Sequence, residues 1–253
     1  MEKRSPLTAK PLRDPGQSVA ELLQERLIDD VFAPVVVAIM FVVLAAAEWW
    51  RYFFATPPAP VLYTIVAVVT VIYVAYKVYR AWPKLKALKL ARDGEKVVGQ
   101  FLERLRGSGF QVFHDIVGPT FNIDHVVIGP AGVFTVETKT WSKPASGQAI
   151  IQFDGEQLTA AGWRPDRDPV VQAKAQAAGL RDVLIESTGK PFRVRPMVLF
   201  PGWFIEQSPG SKREIWVLNP KAVPSFLEAE QDTLTPEDVK LASFHLSRFV
   251  RSH

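Results

Sequence analysis

Asp124, Glu137 and Lys139 are the residues of this chain whose types and spacing point most directly to chemistry. They lie in Asn122–Lys139, where two β-branched, apolar runs flank Gly129, Pro130, Ala131 and Gly132. That pattern predicts a β-hairpin. Side chains on a strand alternate between its faces, so Glu137 and Lys139 point the same way. Asp124, on the paired strand, brings a second carboxylate toward them. Two carboxylates can hold a hard divalent cation, and an ammonium beside it steadies a developing anion. Such a set suits the cutting of a phosphodiester. The plainer readings are an Asp124–Lys139 salt bridge and an exposed strand face carrying Glu137 and Lys139. The acid-any-lysine spacing is not distinctive by itself: Asp238 and Lys240 share it and read as a solvated helix face.

The flanking elements must position these groups. Val97, Val98, Phe101, Leu102 and Leu105 recur with a helical period across 93–106, and Gly107–Gly109 ends that helix. Gln111–Val117 reads as a strand preceding the hairpin. Ala149–Phe153 and Gln157–Thr159, split by Asp154 and Gly155, read as a second hairpin. Asp168–Glu186 reads as a helix with Asp168 as N-cap and Pro169 at its first position. Val194–Phe200 and Ile215–Leu218 are apolar strands, and a last helix spans Pro236–Arg251 behind a Thr235 cap. Glu95 sits in the first turn of the first helix, where the macrodipole favours any acid, so metal ligation and a structural role both stand. Gln172 sits in the first turn of its own helix, either as a site residue or as surface. His114 and His125 suggest a metal ligand or general base. His125 faces away from Asp124, however, which favours packing or hydrogen bonding. Trp141, Trp163, Trp203 and Trp216 offer either stacking faces for bases or ordinary core and rim.

The chain has 253 residues, a formal net charge of +4 and no cysteine, so disulfides and thiolate metal sites are excluded. The mild basic excess suits nucleic acid or an anionic membrane surface without selecting either. Val31–Ala47 and Ala59–Tyr76 are almost wholly apolar, close to the length that crosses a bilayer. Trp49, Trp50, Tyr52 and Phe53 follow the first run, and Tyr73, Tyr76, Tyr79 and Trp82 close the second, as in interfacial belts. Arg51 is the one base between the runs, whereas bases crowd both outer flanks, including Lys77, Arg80, Lys84 and Lys86. The positive-inside bias then puts both termini and the C-terminal domain in the cytoplasm. The expectation is a multi-pass protein of the cell inner membrane: a cytoplasmic N-terminal segment (1–30), a two-helix transmembrane anchor (31–82) and a globular domain (93–253). A pair of buried helices in a soluble protein is the alternative. Residues 18–28 suit a short amphipathic helix, and the rest of the first segment is expected to be mobile.

Taken in order, Gly94–Val98, Asn122–Gly129, Gly132–Lys139, Asp168–Gln172 and Val198–Gly202 resemble the nuclease-related domain family, NERD, a branch of the PD-(D/E)xK endonuclease-like superfamily. The resemblance covers 93–202. It implies an α/β restriction-endonuclease-like mixed sheet flanked by helices, here preceded by the two-helix transmembrane hairpin. It also implies a Mg²⁺ (or Mn²⁺) site with Asp124, Glu137 and Lys139 catalytic, Glu95 and Gln172 supporting, and Asp124, Glu137 and Glu95 as metal ligands. Ile123 stands where the superfamily has proline, and Asp168 where the family often has asparagine; either of the latter caps a helix. The function implied is a membrane-anchored, metal-dependent endonuclease acting on DNA. Lys143, Arg164 and Arg167 are candidate backbone contacts whose binding would weaken with salt. The alternatives are a catalytically silent module that captures nucleic acid or a protein partner at the membrane, and a membrane protein whose regulatory domain has nothing to do with nucleic acid.

Overall fold

The computed structural model describes residues 14–54, 60–119, 121–143, 148–160, 168–208 and 214–252. The chain divides into two compact units: residues 18–90, and residues 91–253 together with the segment up to Gln17.

In the first unit, α1 (Gln17–Leu27) passes through a π-helical turn at Ile28–Phe32 into α2 (Ala33–Phe53). Helix α3 (Pro60–Glu103) follows and ends in a 3-10 turn, Arg104–Ser108. Both helical stretches, Gln17–Phe53 and Pro60–Ser108, are long and apolar enough to cross a membrane, and their apolar windows are 11% buried. The helix expected over 93–106 is the end of α3 rather than a separate element. Between Ala81 and Ala91 the chain is mostly Ala, Leu and Lys, strong helix formers, and Pro83 is accommodated inside the helix.

The second unit is a mixed α/β fold. Strands β1 (Gln111–Val117), β2 (Asn122–Gly129) and β3 (Gly132–Thr138) form an antiparallel meander. Two short strands, β4 (Ile150–Phe153) and β5 (Leu158–Ala160), come next. Helix α4 (Pro169–Thr188) leads to β6 (Val194–Leu199), β7 (Phe204–Gln207) and β8 (Trp216–Leu218). A 3-10 turn, Pro220–Ala222, opens into α5 (Val223–Glu228), and α6 (Pro236–Ser252) completes the described chain. The main sheet has five strands in the order β1-β2-β3-β6-β8, with β3, β6 and β8 parallel. The hairpin expected over 149–159 forms, and it belongs to a separate sheet, β5-β4-β7.

The alternation of side chains sorts the sheet into two apolar faces. Val127, Phe134, Val136 and Met197 pack against Val98 and Leu102 of α3. Val126, Ile128 and Val133 pack on Leu180 and Leu184 of α4 and Leu246 of α6. Burying one such leucine stabilises the fold by about 2 kcal/mol, so the helices on the two faces lock the hairpin register. The turn between β2 and β3 is fixed by Gly132 at φ 136°, and Thr233 and Leu234 N–H groups both donate to the Pro130 carbonyl. A one-residue slip would turn Asp124 and Glu137 to the wrong face.

Candidate functional site

Asp124 lies at the start of β2, and the register His125–Val136 brings it level with Glu137 near the end of β3. Its Oδ2 accepts the Thr138 backbone N–H at 2.6 Å. Glu137 is buried, and its Oε1 lies 2.5 Å from the Lys139 ammonium. Lys139 also donates to Gln172 Oε1 at 2.9 Å, which accounts for two of its three N–H donors. Gln176, one turn further along α4, donates through Nε2 to Glu137 Oε2 and to the Asn122 carbonyl, each at 2.5 Å. Asp168 caps α4 by accepting from Val170 N at 2.8 Å, with Pro169 at the first helical position, and so fixes the turn that carries Gln172.

Glu95 enters from α3. The helix backbone comes so close to the end of β3 that a Cβ on Gly94 would stand 1.7 Å from Thr140 Oγ1. Glycine is required there for the helix to deliver Glu95 beside Lys139. Burial, then the charges of Asp115 and Glu137, push the Glu95 carboxyl up to about 7, against a partial opposing pull from Lys139. Burial also holds Asp124 well above the usual carboxylate range, with Glu137 and Glu95 adding repulsion and the Thr138 N–H and Lys139 working the other way. Three carboxyls and one ammonium thus share a single poorly hydrated environment at one end of the sheet.

The five residues singled out from the sequence, Asp124, Glu137, Lys139, Glu95 and Gln172, are therefore neighbours in space, and this geometry accompanies a family match. The nuclease-related domain family matches residues 90–201. Residues 90–201 are a nuclease-related domain. An uncharacterized protein of Bacillus anthracis is 40% identical to this chain over 55 residues, 20% of this chain and 26% of that protein. The Pyrococcus furiosus SfsA structure in complex with Ca²⁺ is similar with a TM-score of 0.24 and 15% identity, over 49% of this chain and 52% of that one. The chain thus spans about a quarter of the length of the curated relative and about half of the solved one.

The donor set of this nuclease-related domain suits a hard cation. The oxygens on offer are carboxylates, and besides burial, which raises Asp124 and Glu95 most, their mutual repulsion is what a divalent ion would relieve. Among the described residues, no three His, Asp or Glu side chains converge as a ready-made metal cage. The physical reason is visible at Glu137, whose two oxygens are held by Lys139 and Gln176.

Three residues of the domain's site were not found from the sequence. Asp115 is 1% exposed and adopts φ 51°, the one positive φ among the described non-glycine residues, in the middle of β1. It interrupts the β1–β2 ladder between His114–His125 and Ile116–Ile123, and its charge reaches Glu95. A run that otherwise reads as an ordinary strand gives no sign of this. Gln176 was legible in principle, being four residues after Gln172 on one helix face. Gly94 adjoins Glu95, but its role depends on a contact with Thr140 distant in sequence.

His114 and His125 do not join the acids. They lie on the other side of β1 and β2, with Nδ1 to Nδ1 at 2.9 Å. His114 Nε2 meets Glu103 Oε1 at 2.8 Å, and Arg106 Nε donates to Glu103 Oε2 at 2.7 Å. Burial lowers both imidazoles, so both are neutral. Burial alone would raise Glu103, but hydrogen bonds from Arg106 and His114 outweigh it and keep it ionised. His114 must then donate from Nε2 and accept at Nδ1, and His125 donates from Nδ1. His125 Nε2 is left as a bare acceptor, in keeping with its lack of a hydrogen-bond partner. The pair acts in packing and hydrogen bonding.

Trp203 and Trp216 are core residues at 3% exposure each. Trp141 packs on Phe200 with ring centroids 4.7 Å apart. Trp163, Arg164 and Arg167 lie outside the described residues. Lys143 is exposed, and its ammonium lies over Gly202. Beside Glu95, Pro15 and Gly16 pack against the domain: Pro15 lies on Gly99, and a Cβ on Gly16 would stand 3.1 Å from Glu95 Oε2. This part of the N-terminal segment is therefore built into the domain, while residues 1–13 lie outside the described residues.

Proposed function

We propose that this chain is a membrane-anchored, Mg²⁺- or Mn²⁺-dependent endonuclease that hydrolyses phosphodiester bonds of DNA. The observation that carries the reading is the convergence of Asp124, Glu137, Glu95 and Lys139 at one end of the sheet of a nuclease-related domain. Asp124, Glu137 and Glu95 are the residues that would hold the ion, whose contribution when bound is Lewis-acid polarisation of the scissile phosphate. Lys139 directs its positive charge to where negative charge grows on the phosphate. Its ammonium is already fixed by Glu137 and Gln172, so little reorganisation is needed during reaction. Gln176 orients Glu137, and the Thr138 N–H orients Asp124. Poor hydration of the acids strengthens each of these interactions.

The anchor reading rests on the two long apolar helices, whose side chains are largely exposed as a lipid environment would require. Basic flanks favour a cytoplasmic nuclease-like domain and cytoplasmic termini at the inner membrane. A reporter fused after His253 should be active only in the cytoplasm.

The activity test is plasmid cleavage by the full chain in detergent with Mg²⁺ or Mn²⁺, beside Asp124→Ala and Lys139→Ala. Loss of a preorganised charge donor of this kind costs roughly 10²–10³ in rate. Equal cutting by wild type and both variants would identify a contaminant and sink the reading. A silent nucleic-acid-binding module is the second reading, favoured by the engagement of both Glu137 oxygens. It predicts DNA binding without metal-dependent cleavage.

A further inference from the structure

The acids occupy only part of the carboxyl end of the parallel strands. Thr138 of β3 is level with Leu199 of β6, and Leu199 with Leu218 of β8. Lys139 N–H donates to the Leu199 carbonyl at 2.9 Å and Phe200 N–H to the Leu218 carbonyl at 3.0 Å, so the three strands end side by side. In open α/β sheets the crevice beyond such ends is where ligands bind. Beyond the ends of β6 and β8 lies a cavity of about 770 Å³, whose lining includes Gly202, Phe204, Leu218, Asn219 and Lys221.

The walls of that cavity are built. Asn219 Nδ2 donates to the Trp203 carbonyl at 2.8 Å, and Trp203 Nε1 donates to the Trp141 carbonyl at 3.3 Å. These bonds tie together the segments that follow β3, β6 and β8. Gly202, at φ 77°, turns the chain there and leaves room for the Lys143 ammonium, which would stand 2.8 Å from a Cβ at that position. Phe204, the first residue of β7, is 66% exposed although it stands at the edge of a packed sheet. Lys143 and Lys221 are both exposed, and no carboxylate is among the described residues that line the cavity. Glu206, on the same strand as Phe204, is turned to Gln152 on β4.

An exposed aromatic ring in a groove lined by Lys221, with the Lys143 ammonium beside Gly202 of the same lining, fits one kind of occupant. We propose that this groove holds the unpaired arm of the nucleic acid, with one base stacked on Phe204 and its backbone phosphates paired with Lys143 and Lys221. A continuous duplex would keep its bases stacked on one another and could not offer one to Phe204. The substrate class is therefore a strand that is single-stranded on the side of the cut facing β6 and β8. This inference rests on the nuclease reading for its place in the reaction, and on the groove alone for its binding chemistry.

The test is binding of a fluorescein-labelled single-stranded oligonucleotide and of a blunt duplex to the full chain in detergent, read by anisotropy with EDTA present. The expected order is single strand tighter than blunt duplex. Phe204→Ala should weaken single-strand binding about 10-fold or more, the range of one base–aromatic stack, and Phe204→Trp should restore it. Lys143→Ala with Lys221→Ala should lower the slope of log affinity against log salt by about 0.7 per lysine for a single strand. Blunt-duplex binding should be unchanged by Phe204→Ala and Phe204→Trp. Unchanged single-strand affinity in Phe204→Ala, or equal losses for strand and duplex, would overturn the proposal, as would tighter binding of an acidic protein than of either nucleic acid. The two readings fail separately. Phe204-dependent capture without cleavage under Mg²⁺ removes the hydrolase and keeps the groove; metal-dependent cleavage untouched by Phe204→Ala does the reverse.

Discussion

Replacing Glu95 by glutamine removes a carboxyl that the fold holds at a disadvantage. Glu95 is buried beside Asp115 and Glu137 and is raised from 4.5 to about 7. The native state therefore binds more protons than the unfolded chain between these values, and stability falls as pH rises through that window. Below about 4.5 the acid is protonated in both states and contributes nothing; above about 7 the full loss, about 3 kcal/mol, has been incurred. Between pH 5 and pH 8 the loss is about 2.5 kcal/mol. Glu95→Gln should escape it, so its stability relative to wild type should improve by that amount across the interval. For a domain of this size that is roughly 5–10 °C in melting temperature. Asp124 shifts in the same direction in both proteins, and since Glu95 is one of its causes, the variant gains slightly more. The assay is thermal unfolding of the full chain in detergent, followed by near-UV circular dichroism with EDTA at both pH values. A wild-type-minus-variant difference that is the same at pH 5 and pH 8 would refute the account of the acid cluster.

Asp115→Asn removes the second cause of the Glu95 shift, so the fall in stability should end at a lower pH than in wild type and be smaller over the same interval, read in the same melts. Gly94→Ala sets a methyl against Thr140 Oγ1 and should cost about 1–3 kcal/mol by overpacking; Thr140→Ala in the same chain should recover part of it in a urea titration. Asp168→Ala deletes the N-cap bond to Val170 and should cost about 1 kcal/mol, with a parallel rise in amide exchange in the first turn of α4 that carries Gln172.

The hairpin and its acid and lysine set were legible because they depend on local rules: β-branched alternation across Asn122–Thr138 and a glycine-bearing turn. The Asp168 and Thr235 caps were legible for the same reason, and both side chains accept from helix N–H groups as expected. What escaped depends on tertiary contact. Asp115 occupies a left-handed backbone that no neighbouring residue announces. Strand β7 is four half-exposed residues whose partner, β4, lies 54 positions earlier, so neither period nor burial marks it. The continuity of α3 was missed because the basic run Lys77–Arg92 was read for its charge, whereas the Ala, Leu and Lys content of its second half carries the helix straight through.

Pro15 and Gly16 touch Gly99, Arg92 and Glu95, so the folded unit that carries the acids is discontinuous in sequence. The apolar stretch from 18 to 90 is an insertion into that unit, not a leader ahead of it. A soluble fragment that starts at Ala91 would forfeit the two residues that wall off the Glu95 carboxyl, and would expose the Gly99 face of the helix. Grafting Asp14–Gln17 onto such a fragment through a short flexible linker, or supplying it as a separate peptide, is the design that keeps this wall in place.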